Sequence, residues 1–191
     1  LSAPDTDDKQ RTYKNFVDAW WDFRPDNMFG VKVKIYNMYD RLEFMENSAG
    51  SAWDIANTKN IHTTTVHGCD FQFDKQFVDF YRFLGGFNYV ANYNDSTSSG
   101  KHAYSVKGWY FDNQFDITKK AYVSLGARIE DYSTFGFEAN PSATFMYRLN
   151  DKTKIRSAIS RSFRAPTFND LYWPDDGWTK GNQNLKPEKG I

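Results

Sequence analysis

Long stretches of this chain alternate strictly between apolar and polar side chains, and that pattern restricts the fold more than any other feature. Over residues 31–40, Val31, Val33 and Ile35 take one parity, and Lys32, Lys34 and Tyr36 take the other. Val123, Leu125, Ala127 and Ile129 alternate with Ser124, Gly126, Arg128 and Glu130. Ala143, Phe145, Tyr147 and Leu149 alternate with Ser142, Thr144, Met146 and Arg148. A period of two puts the two sets on opposite faces of a β-strand. Eight strands are expected, at about 12–23, 30–46, 60–74, 81–93, 102–112, 121–132, 139–149 and 154–163. Several reach the ~9–11 residues that a tilted strand needs to cross a bilayer. Strands of soluble domains average only about 5–6 residues. No apolar run approaches the ~18 residues of a membrane helix.

The connections are expected to differ at the two ends of the strands. Segments 24–29, 75–80, 113–120 and 150–153 read as compact turns. Segments 47–59, 94–101 and 133–138, and the longest, 164–187, read as loops. In an up-and-down meander, alternate connections emerge at the same end, so one end carries turns and the other loops. Outer-membrane barrels have this asymmetry. A soluble meander barrel with uneven loops has it too. The alternation does not choose between them: a soluble barrel turns its apolar face inward, and a membrane barrel turns it toward lipid. Aromatic residues tilt the balance. The 17 Phe, 12 Tyr and 6 Trp together outnumber all the Ile, Leu and Val. Trp20, Trp21 and Phe23, then Phe71, Phe73 and Phe77, then Trp109, Tyr110 and Phe111 cluster beside the expected turns. They are read as a girdle at a lipid–water boundary.

The last third of the chain resembles a known family. Lys154-Ile155-Arg156, the run from Ser160 through Arg164-Ala165-Pro166 to Tyr172, and Gly181-Asn182-Gln183-Asn184-Leu185-Lys186-Pro187-Glu188-Lys189 resemble the mid-barrel signature of TonB-dependent outer-membrane receptors. Gly126-Ala127-Arg128-Ile129-Glu130-Asp131-Tyr132, Phe135-Gly136 and Pro141-Ser142 match the hairpin that precedes it. Gln183 stands where the family usually has Pro, and Glu130 where Asp is common.

The resemblance implies an all-β fold: an antiparallel up-and-down transmembrane β-barrel segment, about eight strands of a barrel of roughly 22. Residues 1–191 are expected to be a partial barrel domain, without the plug domain or the remaining strands. Unpaired edges are expected near Tyr13 and beyond Phe163. The implied function is active import of a scarce nutrient (ferric siderophore, cobalamin, haem or similar) across the outer membrane of a Gram-negative bacterium. The implied partners are outer-membrane lipid, the receptor's own plug, a small-molecule ligand, and the TonB energy-coupling protein acting through the plug. No nucleic acid is expected, since 24 Lys+Arg balance 24 Asp+Glu. Lys32, Lys34, Asp70, Gln72, Arg128, Glu130, Arg148 and Arg156 are candidates for a wall facing the plug. Trp53, Tyr172, Trp173 and Trp178 are candidates for ligand stacking in loops. Arg164, Ala165, Pro166, Asn184, Pro187 and Glu188 are expected to shape the backbone, Pro166 by fixing φ and biasing Ala165 to an extended form.

Two other functions compete: a passive, self-contained outer-membrane barrel of eight strands, and a soluble β-barrel that binds a sugar or lipid through tryptophans. An enzyme is not expected, because no catalytic constellation is present. Three His and one Cys offer no zinc-type ligand set. Ser99-Gly100-Lys101 lacks the first Gly and the final Ser/Thr of a phosphate loop. No cofactor is implied. Leu1 opens no basic-then-apolar stretch, so no signal peptide is expected, and since the first residue is not Met a mature or cut piece is expected.

Overall fold

A computed structural model describes residues 9–46, 58–175 and 177–191. Eight strands form one antiparallel sheet in sequence order: β1 (Lys9–Phe23), β2 (Phe29–Glu46), β3 (Thr58–Val78), β4 (Tyr81–Ser96), β5 (Gly100–Asp116), β6 (Ala121–Tyr132), β7 (Gly136–Asn150) and β8 (Thr153–Ser160). β1 and β8 are the two free edges, so the sheet does not close on itself. All eight expected strands are present, and most run longer than expected. The eighth is the exception: it ends at Ser160, and β9 (Ser162–Arg164) pairs with β10 (Glu188–Gly190) in a separate ladder. A short helix, α1 (Phe168–Tyr172), lies between them.

Every ladder keeps the same parity, so even-numbered residues share one face of the sheet and odd-numbered residues the other. Two shifts, at Gln76/Val78 and Arg148/Asn150, fall at strand ends. The odd face carries two wholly apolar or aromatic rows across seven strands. One is Trp21, Val33, Phe71, Phe87, Trp109, Ile129, Ala139; the other is Phe23, Val31, Phe73, Gly85, Phe111, Ala127, Pro141. The even rows are Asp22, Lys32, Gln72, Gly86, Tyr110, Arg128, Asn140, and Trp20, Lys34, Asp70, Asn88, Gly108, Glu130, Glu138.

There is no conventional core. Among the described residues only Ala91, Val106 and Leu171 are buried apolar side chains. Leu125 is 48% exposed and Phe145 44% exposed on the odd face. Folding here does not seal apolar side chains together. It pairs backbone groups across long ladders and leaves a broad apolar surface, far beyond what a soluble monomer exposes.

The connections correct two expectations. Residues 97–99 form a three-residue hairpin link in place of the expected loop 94–101, and 133–135 form another, shorter still than the brief segment 133–138 expected there. Each is followed by a glycine at φ +83°, Gly100 and Gly136, in the left-handed region that closes such links. Ser96 Oγ accepts from the Ser98 and Ser99 amides and tightens the first of them. Segment 47–57, expected as a loop, lies outside the described residues. The aromatic girdle is also redrawn. Trp21, Phe23, Phe71, Phe73, Phe77, Trp109 and Phe111 share the odd face, but Trp20 and Tyr110 are on the even one. Adjacent aromatics in a strand point opposite ways, so a cluster in sequence divides between faces.

Candidate functional site

The even face is a connected polar wall. Tyr110 donates its hydroxyl proton to the Asp70 carboxylate, with its oxygen 3.1 and 3.3 Å from the two carboxylate oxygens. Arg128 lies 5.9 Å over the Tyr110 ring, donates to Asn88 Oδ1 at 3.1 Å, and donates through Nε to Glu130 at 2.9 Å. Lys34 bridges to Asp18 at 2.9 Å. Toward the turns, Asp74 is held between Arg24 at 3.1 Å and Arg82 at 3.3 Å, and Ser124 donates to Asp112.

Glycines let these side chains lie flat. Gly68 sits under the Tyr36 ring, Gly86 under Tyr110 and Gly108 under Asn88. A Cβ at Gly86 would fall inside contact distance of both the Phe71 carbonyl oxygen and the Tyr110 ring. The large residues therefore run along the wall and stand less far into the space above it.

Glu130 and Glu138 face each other across the β6–β7 ladder. Two neighbouring carboxylates are tolerable because cations from different parts of the chain neutralise them. Arg128 serves Glu130, while Lys189 at 2.8 Å and Arg161 at 3.4 Å serve Glu138. Glu138 thus ties the segment after β8 back to the sheet.

That segment folds over the even face at the loop end. The Tyr172 ring stacks on His102 at 3.5 Å and 6°, and Phe168 lies 5.1 Å from Tyr104. Phe163 meets Tyr132 edge-on at 5.6 Å. His102 Nε2 is 2.6 Å from the Ser99 carbonyl oxygen, which requires the proton on Nε2. Thr167 and Asp170 form a reciprocal capping box at the start of α1. Hydrogen bonds from Thr167, chiefly its amide, hold the Asp170 carboxyl below the ordinary value of 3.8, helped by nearby Arg164. Gly181 and Asn182 donate amides to the Trp173 and Asp170 carbonyls, each at 2.9 Å.

The signature residues meet here. Arg164 pairs with Glu188 at 3.4 Å and Asp170 at 3.8 Å, and the β9–β10 ladder joins the two halves of the motif. The Asn184 amide donates to the Asn182 side chain, and Pro187 borders a hollow of about 540 Å³ beneath the 134–138 hairpin. Ala165 and Pro166 carry the chain from β9 into α1.

A second hollow, of about 450 Å³, opens on the even face at the loop end. Thr12, Lys14, Asp40, His62, Thr64 and Asn94 line it, with Thr167, Phe168 and Asn169 of the α1 region on one side. Hydroxyls, amides and the Lys14–Asp40 pair at 3.0 Å give it hydrogen-bonding capacity in several directions. Sequence reasoning missed these residues. Their signal was parity: all the strand positions are even and near the loop ends.

The described residues singled out for ligand stacking have different surroundings. Tyr172 is used in packing against His102. Trp173 borders a different hollow of about 360 Å³ with Asp170, Lys180 and Leu185. Trp178 is 96% exposed, and Trp53 lies outside the described residues. The eight wall candidates, Lys32, Lys34, Asp70, Gln72, Arg128, Glu130, Arg148 and Arg156, all fall on the even face.

An open antiparallel meander of long strands, with one apolar and one polar face, defines a segment of a large β-barrel. The comparisons sharpen that class. A family model described as TonB dependent receptor-like, beta-barrel matches residues 2–191, and the chain belongs to that family. It is similar to the vitamin B12 transporter BtuB of Vibrio vulnificus, 34% identical over 104 residues, covering 54% of this chain and 15% of that protein. BtuB of Photobacterium profundum is 31% identical over 86 residues, 45% of this chain and 12% of that protein. Among solved structures, a mutant ferric enterobactin receptor, PfeA, of Pseudomonas aeruginosa superposes with TM-score 0.82 at 13% identity, covering 94% of this chain and 31% of that one. The siderophore receptor PirA of Acinetobacter baumannii gives 0.58 at 12% identity, covering 95% and 40%. At such identities the structural likeness speaks for the fold.

Proposed function

We propose that the chain forms part of the wall of an outer-membrane receptor that binds and actively imports a scarce nutrient in a Gram-negative bacterium. A ferric siderophore, cobalamin, haem or a similar compound is the cargo. The family membership and the division of faces support this reading. The odd face meets lipid. Strands can cross hydrocarbon only when their backbone groups are paired, and the eight-strand ladder pairs them throughout its interior. The even face lines a lumen filled by the receptor's plug domain, with the flattened network around Tyr110 and Arg128 as the contact wall. Arg148 and Arg156 extend that wall toward the turns. The TonB energy-coupling protein acts on the plug and not on this segment. No bond in the cargo is made or broken, so the protein is not an enzyme.

Cargo binds at the loop end, on the side where the 450 Å³ hollow opens and where Tyr172, Trp173 and Trp178 cluster in sequence. The signature residues Arg164, Ala165, Pro166, Asn184, Pro187 and Glu188 hold the segment's shape. The observation that carries the proposal is the exposed apolar odd face, with Trp21, Phe71, Trp109 and Leu125 left unsealed while the even face is tied into a polar network. A passive eight-stranded barrel is disfavoured, because β1 and β8 do not pair. A soluble module is disfavoured by the lack of a sealed apolar centre.

The test is uptake of radiolabelled cobalamin and ferric siderophores by cells expressing the full-length protein, with and without TonB. Accumulation of one cargo only when TonB is present is the expected result. Equal accumulation in both strains would contradict it.

A further inference from the structure

The odd face ends differently at its two borders, and the loop-end border is cationic. Arg11 lies directly opposite Glu43, Lys59 opposite Met45, and Tyr13 opposite Arg41. Lys9, Arg11, Arg41 and Lys59 therefore occupy three successive same-face rows on β1–β3. Strand spacing and rise put them within a patch of about 10 by 13 Å. One carboxylate, Glu43, sits among them. Arg41 holds it at 2.7 Å and Lys59 at 3.2 Å, and its side chain is only 9% exposed. Lys9 and Arg11 make no ion pair among the described residues. Among the described residues of β1–β3 the four cations exceed the acids on this border of the odd face by three. The apolar strip of β1 (Phe23, Trp21, Ala19, Val17) ends at Asn15 and Tyr13, and the patch begins beyond them.

We infer that this patch binds the phosphorylated headgroup of a glycolipid in the outward leaflet of the membrane. A basic cluster bordering an apolar surface attracts anionic lipid heads. Arginine presents a planar fork that matches phosphate, and lysine adds a point charge. An excess of three cations spread over this area suits a headgroup with two phosphates better than one. The acyl chains lie along Val17, Ala19 and Trp21. The other border has no such excess: there Phe77, Tyr81 and Phe115 stack at 5.5 and 5.0 Å, with Lys75 over Phe77. The inference rests on the odd face meeting lipid.

The experiment measures lipid binding to the full-length protein in neutral detergent by native mass spectrometry. The probes are bisphosphorylated lipid A, its dephosphorylated form, phosphatidylglycerol and inorganic phosphate. The variants are Lys9→Gln/Arg11→Gln, which spares the Glu43 cluster, and Lys14→Gln on the opposite face. Bisphosphorylated lipid A is expected to bind tightest and to be released by salt. The double variant should bind it at least about tenfold more weakly, and Lys14→Gln should bind as the parent does. Binding indifferent to dephosphorylation, an unchanged double variant, or preference for phosphatidylglycerol or free phosphate would overturn the inference. Quenching of Trp21 and Trp109 by brominated lipid, in variants retaining one tryptophan, tests the lipid face separately. Quenching without headgroup selectivity rejects the headgroup site and leaves the lipid-facing reading intact.

Discussion

The two faces of the sheet use the same backbone for opposite purposes. On the odd face, side chains such as Ile129, Phe111 and Trp21 stand outward in apolar rows and hold few polar partners. On the even face, glycines sink beneath Tyr36, Tyr110 and Asn88, and the large side chains run along the wall, tied by hydrogen bonds. One face gains stability only when something apolar covers it. The other is already satisfied and leaves room above it. A one-residue step in sequence moves a side chain from one regime to the other.

The largest break of this contrast is a charge on the odd face. Ile129→Arg, next to the native Arg128, sets a charge on the apolar face beside Trp109 and should cost up to about 2–4 kcal/mol of stability, the range for an arginine held in hydrocarbon. Ala158→Arg, on the even face of β8, should cost less than about 1 kcal/mol. Denaturant titration of the full-length protein in lipid bilayers measures both. Equal costs would erase the distinction.

The next effect concerns the glycines. Gly86→Ala pushes a methyl into the Phe71 carbonyl and the Tyr110 ring and should cost about 1–3 kcal/mol. At the neighbouring Gly85 the nearest atoms a Cβ meets are all side chain, the Phe83 ring at 2.7 Å and the Phe73 ring at 3.6 Å, and none is backbone. Gly85→Ala should therefore cost less in the same titration.

Smaller changes test the segment folded over the even face. Glu138→Gln removes the anchor of Lys189 and Arg161. Hydrogen exchange at residues 162–164 and 188–190 should quicken several-fold, while β3–β5 keeps its protection. The smallest expected effect is a pH response at α1. The Asp170 carboxyl titrates below its ordinary 3.8 because hydrogen bonds from Thr167 favour the charged form. Its contribution is complete above that ordinary value and is lost as pH falls through the lowered one. Amide exchange at Thr167 should rise over that acid range, and Asp170→Asn should abolish the response.

Much of this was legible in the sequence. The alternation around Val31, Val123 and Phe145 marked strands and faces together, because side-chain period and sheet geometry are the same fact. The run from Arg164 to Tyr172 marked the family, but the β9–β10 pairing and the Arg164–Glu188–Asp170 cluster depend on contacts between distant positions. Link 97–99 reads as a longer loop, and 133–135 as a slightly longer one, because serine and threonine suit strands and turns alike. The glycines that follow, Gly100 and Gly136, were the missed signal. Tyr110 was grouped with Trp109 and Phe111 by proximity, although its even number assigned it to the Asp70 network. The strand residues of the 450 Å³ hollow share a parity that the sequence shows, but its closure on one side depends on α1 returning to the sheet.

The most direct measurement is a cysteine scan of residues 121–132, in a Cys69→Ser background of the full-length protein in lipid bilayers. Each site is spin-labelled, and its collision rates with oxygen and with a water-soluble nickel complex are recorded. Oxygen accessibility should peak at Val123, Leu125, Ala127 and Ile129 and fall at Ser124, Gly126, Arg128 and Glu130. A flat profile, or a period of two with the parity reversed, would contradict an odd face that meets lipid.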